Sequence, residues 1–126
     1  MPVKAKILVV EDEPTLRALV RKVLERCNYE VIDAESGAAA LAVWEQNKFH
    51  VDLLLTDMVM PDGVSGRQLA ERLKADNPNL KVIFTTGYSA ELMGDDFVVK
   101  EGVNFLQKPY PPQSLVQAVR NGLASE

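Results

Sequence analysis

The chain alternates short, continuously apolar runs with stretches of helical periodicity, and this alternation constrains its fold more than any other feature. Ile7, Leu8, Val9 and Val10 form an apolar run too short for a helix and rich in β-branching, which predicts a strand buried on both faces. Leu16, Leu19, Val20, Val23 and Leu24 then recur at i, i+3, i+4, i+7 and i+8, one apolar helix face, with Pro14 suited to its first turn. Residues 29–34 predict a second strand, and Ser36 caps a helix that carries Leu41 and Trp44 and ends before Phe49. Leu53, Leu54 and Leu55 lead a third strand into Thr56 and Asp57. Residues 65–75 predict a helix with Leu69 and Leu73 on one face, stopped near Asn77 and Pro78. Val82, Ile83 and Phe84 begin a fourth strand ending in Thr85 and Thr86; Phe105 and Leu106 make a short fifth; Leu115, Val116, Val119 and Leu123 mark a final helix. Between residues 89 and 102, Leu92 and Met93 start a helix that Gly94, Asp95 and Asp96 interrupt, and residues 97–99 read equally as helix or strand. Five strands alternating with helices predict an α/β architecture, an open, mostly parallel sheet covered on both faces and joined by right-handed crossovers.

At 126 residues the chain fits one domain, and 47% hydrophobic with 25% charged residues suffices for a core. A net charge of −4 argues against nonspecific nucleic-acid binding, which needs a basic face to displace counterions. No apolar stretch approaches the roughly 18 residues of a membrane span. The opening MPVKAK has no apolar signal segment of its own, so a cytoplasmic location without membrane insertion is expected. Cys27 is the only cysteine, which excludes an internal disulfide, and it reads as a packing residue. The lone His50 reads as a loop or strand-edge residue rather than a catalytic one.

The polar residues that end the strands carry the functional signal. Run one is followed by Glu11, Asp12 and Glu13, run three by Asp57, run five by Lys108, and run four ends in two threonines. In a parallel sheet these carboxyl ends share one edge, where open α/β sheets bind ligands. Crowded carboxylates repel, and a counter-charge is needed to keep them ionised. Lys108 offers one, and an all-oxygen donor set suits Mg²⁺, which keeps several waters and shares phosphate oxygens. Histidine and cysteine are missing from these strand ends, so zinc and copper fit poorly. Taken singly, each acid reads as a helix cap or a solvated loop residue; their coincidence at one edge reads as a site.

The segments ILVVEDE, DLLLTDMVMPDGVSG, VIFTTGYS and FLQKPY occur in an order and spacing that resemble the receiver domains of two-component response regulators. The resemblance covers residues 6–123 and implies a single receiver domain over residues 1–126, with a doubly wound, flavodoxin-like five-stranded parallel sheet of order 2-1-3-4-5. It implies a phospho-acceptor switch rather than a conventional enzyme. By position, Asp57 matches the aspartate that takes a phosphoryl group from a histidine kinase or histidine phosphotransfer protein. Glu11 and Asp12 match the acidic pair that holds Mg²⁺, Asp12 directly and Glu11 through water, and the Val59 backbone carbonyl matches a further metal ligand. Lys108 matches the lysine that pairs with Asp57 and then with its phosphoryl oxygens. Thr86 matches the hydroxyl residue that turns toward the phosphoryl group, with Thr85 its competitor, and Phe105 matches the aromatic that reports the movement. A downstream protein or tethered output domain would read the change, and the resemblance also admits a phosphorylation-dependent dimer.

Some positions depart from the commonest pattern. Glu11 stands where aspartate is common, and Phe105 where tyrosine is frequent, so packing can be relayed but no phenolic hydrogen bond. DGVSG is one residue longer than the usual loop, and with TTGYS it is similar to receivers of hybrid histidine kinases. Val59 and Tyr88 lie two residues past Asp57 and Thr86, positions that border the path of attacking water in such receivers. Neither is an acid or base at neutral pH, so slow loss of phosphate is expected. Arg17, Arg21, Lys22 and Arg26 read as the solvated face of the first helix, or alternatively as the face offered to the phosphodonor. Other functions fit less well. A flavin-binding module needs a hydroxyl- and glycine-rich loop where this chain has EDEP, an aspartyl phosphatase needs a second acid at the position of Val59, and a pseudo-receiver has no need to keep the acids, Thr86 and Lys108 together.

Overall fold

Each apolar run becomes a strand because successive side chains point to opposite faces and both faces are covered. The computed structural model describes residues 4–47, 50–58, 64–87 and 105–124. These contain β1 (Lys6–Val10), α1 (Pro14–Arg26), β2 (Glu30–Ala34), α2 (Gly37–Asn47), β3 (Leu53–Asp57), α3 (Gly66–Asp76), β4 (Lys81–Thr86), β5 (Phe105–Gln107) and α4 (Pro112–Ala124). The strands pair in parallel in the order β2-β1-β3-β4-β5, as expected. The chain leaves β1 to one side and returns to its other side at β3, which puts a topological switch point between the β1 and β3 carboxyl ends.

Two cores flank the sheet. On one face Ile7, Val9, Leu53, Leu55, Ile83 and Leu106 pack with Val20 and Leu24 of α1 and Leu115 and Val119 of α4. On the other, Leu8, Val10, Leu54 and Phe84 pack with Trp44 of α2 and Leu69 and Leu73 of α3. Trp44 is core, as its helical position predicts, and its indole N–H donates to Asp76 Oδ2 at 2.9 Å, which joins the ends of α2 and α3.

The helix boundaries follow local chemistry. Glu13 caps α1, accepting from the Thr15 and Leu16 N–H groups at 3.2 and 2.7 Å, with Pro14 in the first turn. Asn28, just beyond α1, takes a left-handed φ of 70°, a conformation asparagine tolerates at a helix end. Ser36 Oγ accepts the Ala39 N–H at 3.1 Å at the start of α2, and Ser65 and Gln68 form a reciprocal capping box on α3.

Two expectations change. Leu19 is 50% exposed and does not belong to the core, because the buried side of α1 centres on Val20 and Leu24. At about 100° per residue Leu19 lies roughly 120° from that centre. Arg17 and Arg21 are half-buried and bonded rather than simply solvated: Arg17 donates to the Glu11 carbonyl at 2.9 Å, and Arg21 bridges Asp33 at 3.3 Å. The readings of residues 89–102, Val59 and Tyr88 fall outside the described residues.

Candidate functional site at the carboxyl edge of the sheet

Parallel register carries the strand-end residues to one edge. Ladder pairing runs to Val10 opposite Thr56 and to Asp57 opposite Thr85, and it leaves Glu11 one residue past β1. Beyond β5, the Lys108 N–H donates to the Thr86 carbonyl at 2.7 Å, which extends the edge to the lysine. Alternation places Glu11, Asp57, Thr85 and Lys108 on the same side of the sheet as Val9, Leu55, Ile83 and Leu106. Thr86 falls on the opposite side, with Phe84 and Phe105, one residue nearer the carboxyl end than Thr85. Both threonines are buried, and Phe105 is fully buried.

The charged groups meet directly. Lys108 Nζ lies 2.7 Å from Glu11 Oε1 and 2.9 Å from Asp57 Oδ2. Glu11 Oε2 accepts the Glu13 N–H at 3.0 Å, and the Glu11 N–H donates to the Ala34 carbonyl at 3.1 Å. Glu11 and Asp57 are 3% and 6% exposed, whereas Asp12 is exposed. Burial pushes the Glu11 carboxyl above its ordinary value, against the opposing pull of Lys108 and the Glu13 N–H. Burial works against the Lys108 ammonium too, but its hydrogen bonds to Glu11 and Asp57 prevail and hold it above its ordinary value. Tyr110, which packs beside this edge, has its phenol pushed up to about 12 by burial and by the negative charge of Glu11.

The floor beneath Asp57 depends on a close backbone approach. The Gly66 N–H donates to the Met58 carbonyl at 3.0 Å, and a Cβ on Gly66 would stand 2.0 Å from the Asp57 carbonyl oxygen. Only glycine lets α3 begin there. Gly37, by contrast, packs on a side chain, since its Cβ would meet Val64 at 2.7 Å.

Carboxylate oxygens from Glu11, Asp12 and Asp57 lie within 4.8 Å of one another. Ligands of octahedral Mg²⁺ stand about 3 Å apart when adjacent and about 4.2 Å apart when opposite, so these oxygens would draw together around an ion. The donor set fits a hard cation, being all oxygen and carrying an excess of negative charge over the single lysine. Glu11 has both oxygens engaged, and Lys108 engages one oxygen of Asp57.

The family model described as the response regulator receiver domain matches residues 7–120. The chain belongs to the response regulator receiver family. It is 34% identical over 118 residues to the response regulator receiver protein CpdR of Brucella abortus, covering 94% of this chain and 96% of that protein. It is 31% identical over 122 residues to the sensor kinase CckA of Brucella abortus, covering 97% of this chain but only 13% of the kinase. The crystal structure of the receiver domain from the hybrid histidine kinase CckA superposes with a TM-score of 0.79 at 33% identity, covering 94% of this chain and 99% of that one. The receiver is therefore a phospho-acceptor switch domain of two-component signalling, and its doubly wound sheet is that of its relatives. No helix among the described residues is long and apolar enough to cross a membrane.

The structure brings together Glu11, Asp12, Asp57 and Lys108, and places Thr85 and Thr86 at the same edge. Val59 lies outside the described residues. Sequence reasoning grouped Glu13 with the acids that follow the first strand; the structure makes it the cap of α1, for which an acid just before Pro14 is the signal. Sequence reasoning also missed the bond from Arg17 to the loop, for which no local signal exists.

Proposed function

We propose that Asp57 is the phosphoryl acceptor of this receiver and that the chain works as one switch domain over residues 1–126. The observation that carries this is the Lys108 ammonium 2.9 Å from Asp57, with Glu11 and Asp12 beside it. A carboxylate held this way is a competent nucleophile toward phosphorus. An Asp57 oxygen forms the new P–O bond as the donor's P–N bond breaks, and the departing imidazole nitrogen keeps the electron pair and takes a proton from solvent. Lys108 follows the developing charge on the phosphoryl oxygens, so positioning and electrostatics supply most of the acceleration. Magnesium, held by Asp12 and Asp57 with Glu11 through water and the Val59 carbonyl, would supply further charge neutralisation.

Once formed, the acyl phosphate presents new acceptor oxygens. Thr86 turns its hydroxyl toward them and Phe105 follows, which gives the differential interaction that a population shift requires. The donor is a histidine kinase or histidine phosphotransfer protein. The reader is a downstream protein, a tethered output domain or a second phosphorylated copy. The setting is cytoplasmic, and the domain turns over only its own phosphate. Incubation with acetyl phosphate, with and without Mg²⁺, followed by intact mass measurement tests the assignment. One added phosphoryl mass is expected only with Mg²⁺ and only with Asp57 present; uptake that persists in Asp57→Asn overturns it.

A further inference from the structure

Of the three clustered carboxylates, Glu11, Asp12 and Asp57, Asp12 is the exposed one, and no core packing fixes its direction. Its backbone is fixed instead through the preceding peptide. β1 pairs with β3 only as far as Val10, so the Glu11 carbonyl lies beyond the ladder. That carbonyl accepts from Arg17 Nη1 at 2.9 Å, a charge-assisted bond from a half-buried guanidinium. A trans peptide is planar, so holding the Glu11 oxygen sets the plane that contains the Asp12 nitrogen and Cα. The other side of the loop is held by the Glu11 N–H on the Ala34 carbonyl at 3.1 Å. The circuit closes through α1, where Glu13 caps the helix and its carbonyl accepts the Arg17 N–H at 2.9 Å.

We infer that Arg17 is a positioning residue that aims Asp12 at the cation and so sets the affinity of the site for Mg²⁺. The inference rests on the proposed metal-assisted reading of this edge. Arg17 touches neither phosphoryl group nor metal; it acts through the Glu11–Asp12 peptide. Its positive charge opposes the cation, but that repulsion is screened at the half-exposed surface, whereas the loss of loop geometry is not.

The test measures Mg²⁺ binding by calorimetry on the unphosphorylated chain, together with acetyl phosphate uptake across a Mg²⁺ titration. Acetyl phosphate needs no docking surface on α1, so a role of Arg17 in partner contact does not register. Arg17→Ala is expected to weaken Mg²⁺ binding roughly tenfold, the usual effect of losing a group that orients a ligand. The maximal uptake rate at saturating Mg²⁺ should stay within about twofold. Arg17→Lys, which can still donate one bond to the carbonyl, should recover part of the affinity and decides the matter if the alanine variant does not fold. Arg21→Ala removes the other tie of α1, to Asp33, and should lower the melting temperature without moving Mg²⁺ affinity. Unchanged or tighter Mg²⁺ binding in both Arg17 variants overturns the inference, as does an equal loss in Arg21→Ala. Absence of Mg²⁺ binding by the unaltered chain overturns the metal reading itself, and the inference with it.

Discussion

The Lys108 ammonium stands 2.7 Å from Glu11, closer than its 2.9 Å approach to Asp57, so the lysine is shared between two buried carboxylates. Removing it leaves both without their main counter-charge. Lys108→Ala should therefore lower the unfolding free energy by roughly 2–4 kcal/mol at neutral pH without metal, since uncompensated buried charge is costly. Millimolar Mg²⁺ should restore part of that loss by binding only the folded state. Urea unfolding with and without Mg²⁺ checks both; an unchanged midpoint in metal-free buffer would show that Lys108 does not neutralise the pair.

Asp12 gives the opposite sign. It adds a third carboxylate within 4.8 Å of two others, and being exposed it gains little from burial. Asp12→Asn should raise metal-free stability slightly, by about 0.5 kcal/mol, through relief of like-charge repulsion at the surface. It should also abolish the stabilisation by Mg²⁺. Melting curves at a series of Mg²⁺ concentrations measure this; a variant that Mg²⁺ still stabilises fully would remove Asp12 from the metal site.

How much of this was legible beforehand depends on whether the signal was local. Strands β1, β3 and β4 were readable because a strand covered on both faces leaves an unbroken apolar run, and Glu11, Asp57 and Lys108 were readable because each stands within two residues of the last apolar residue of a strand. The helix read from Ser65 begins one residue later, with Ser65 as its cap, for which a serine three residues before Gln68 is the signal. Contacts between distant segments were not readable. Nothing near Trp44 announces Asp76, and nothing in α1 announces that Arg17 turns back to the Glu11 carbonyl. Leu19 misled because an apolar stripe read from spacing is broader than the strip of helix that touches the sheet.

Gly66 tests the floor of the site. Replacing a helical glycine by alanine ordinarily stabilises, by about 1 kcal/mol in a helix interior and by less at a first position such as this one. Here the new Cβ would meet the Asp57 carbonyl oxygen at 2.0 Å, a backbone atom that cannot swing aside. Gly66→Ala should therefore destabilise, by about 2 kcal/mol or more, and displace Asp57 enough to slow phosphoryl uptake at least tenfold. Denaturation midpoints and acetyl phosphate kinetics together check it; a stabilised variant with normal uptake would show that α3 does not need so close an approach.

Tyr110 predicts how the receiver fails in alkali. Its phenol ionises at about 12 in the folded chain against an ordinary value of 10.0, chiefly through burial. Between those limits the unfolded chain gives up the proton while the folded chain keeps it, so the unfolded state binds fewer protons and stability falls as pH rises. The full separation corresponds to a loss of about 2–3 kcal/mol by the upper limit. Lys108 acts in the same direction, because its folded value is also raised and its contribution is lost as pH climbs through that value. Tyr110→Phe has no phenol to ionise and should keep only the shallower decline due to Lys108. Urea midpoints of both proteins at about pH 9 and about pH 11.5 measure the difference. Equal declines in the two would mean that the folded state does not suppress ionisation of Tyr110.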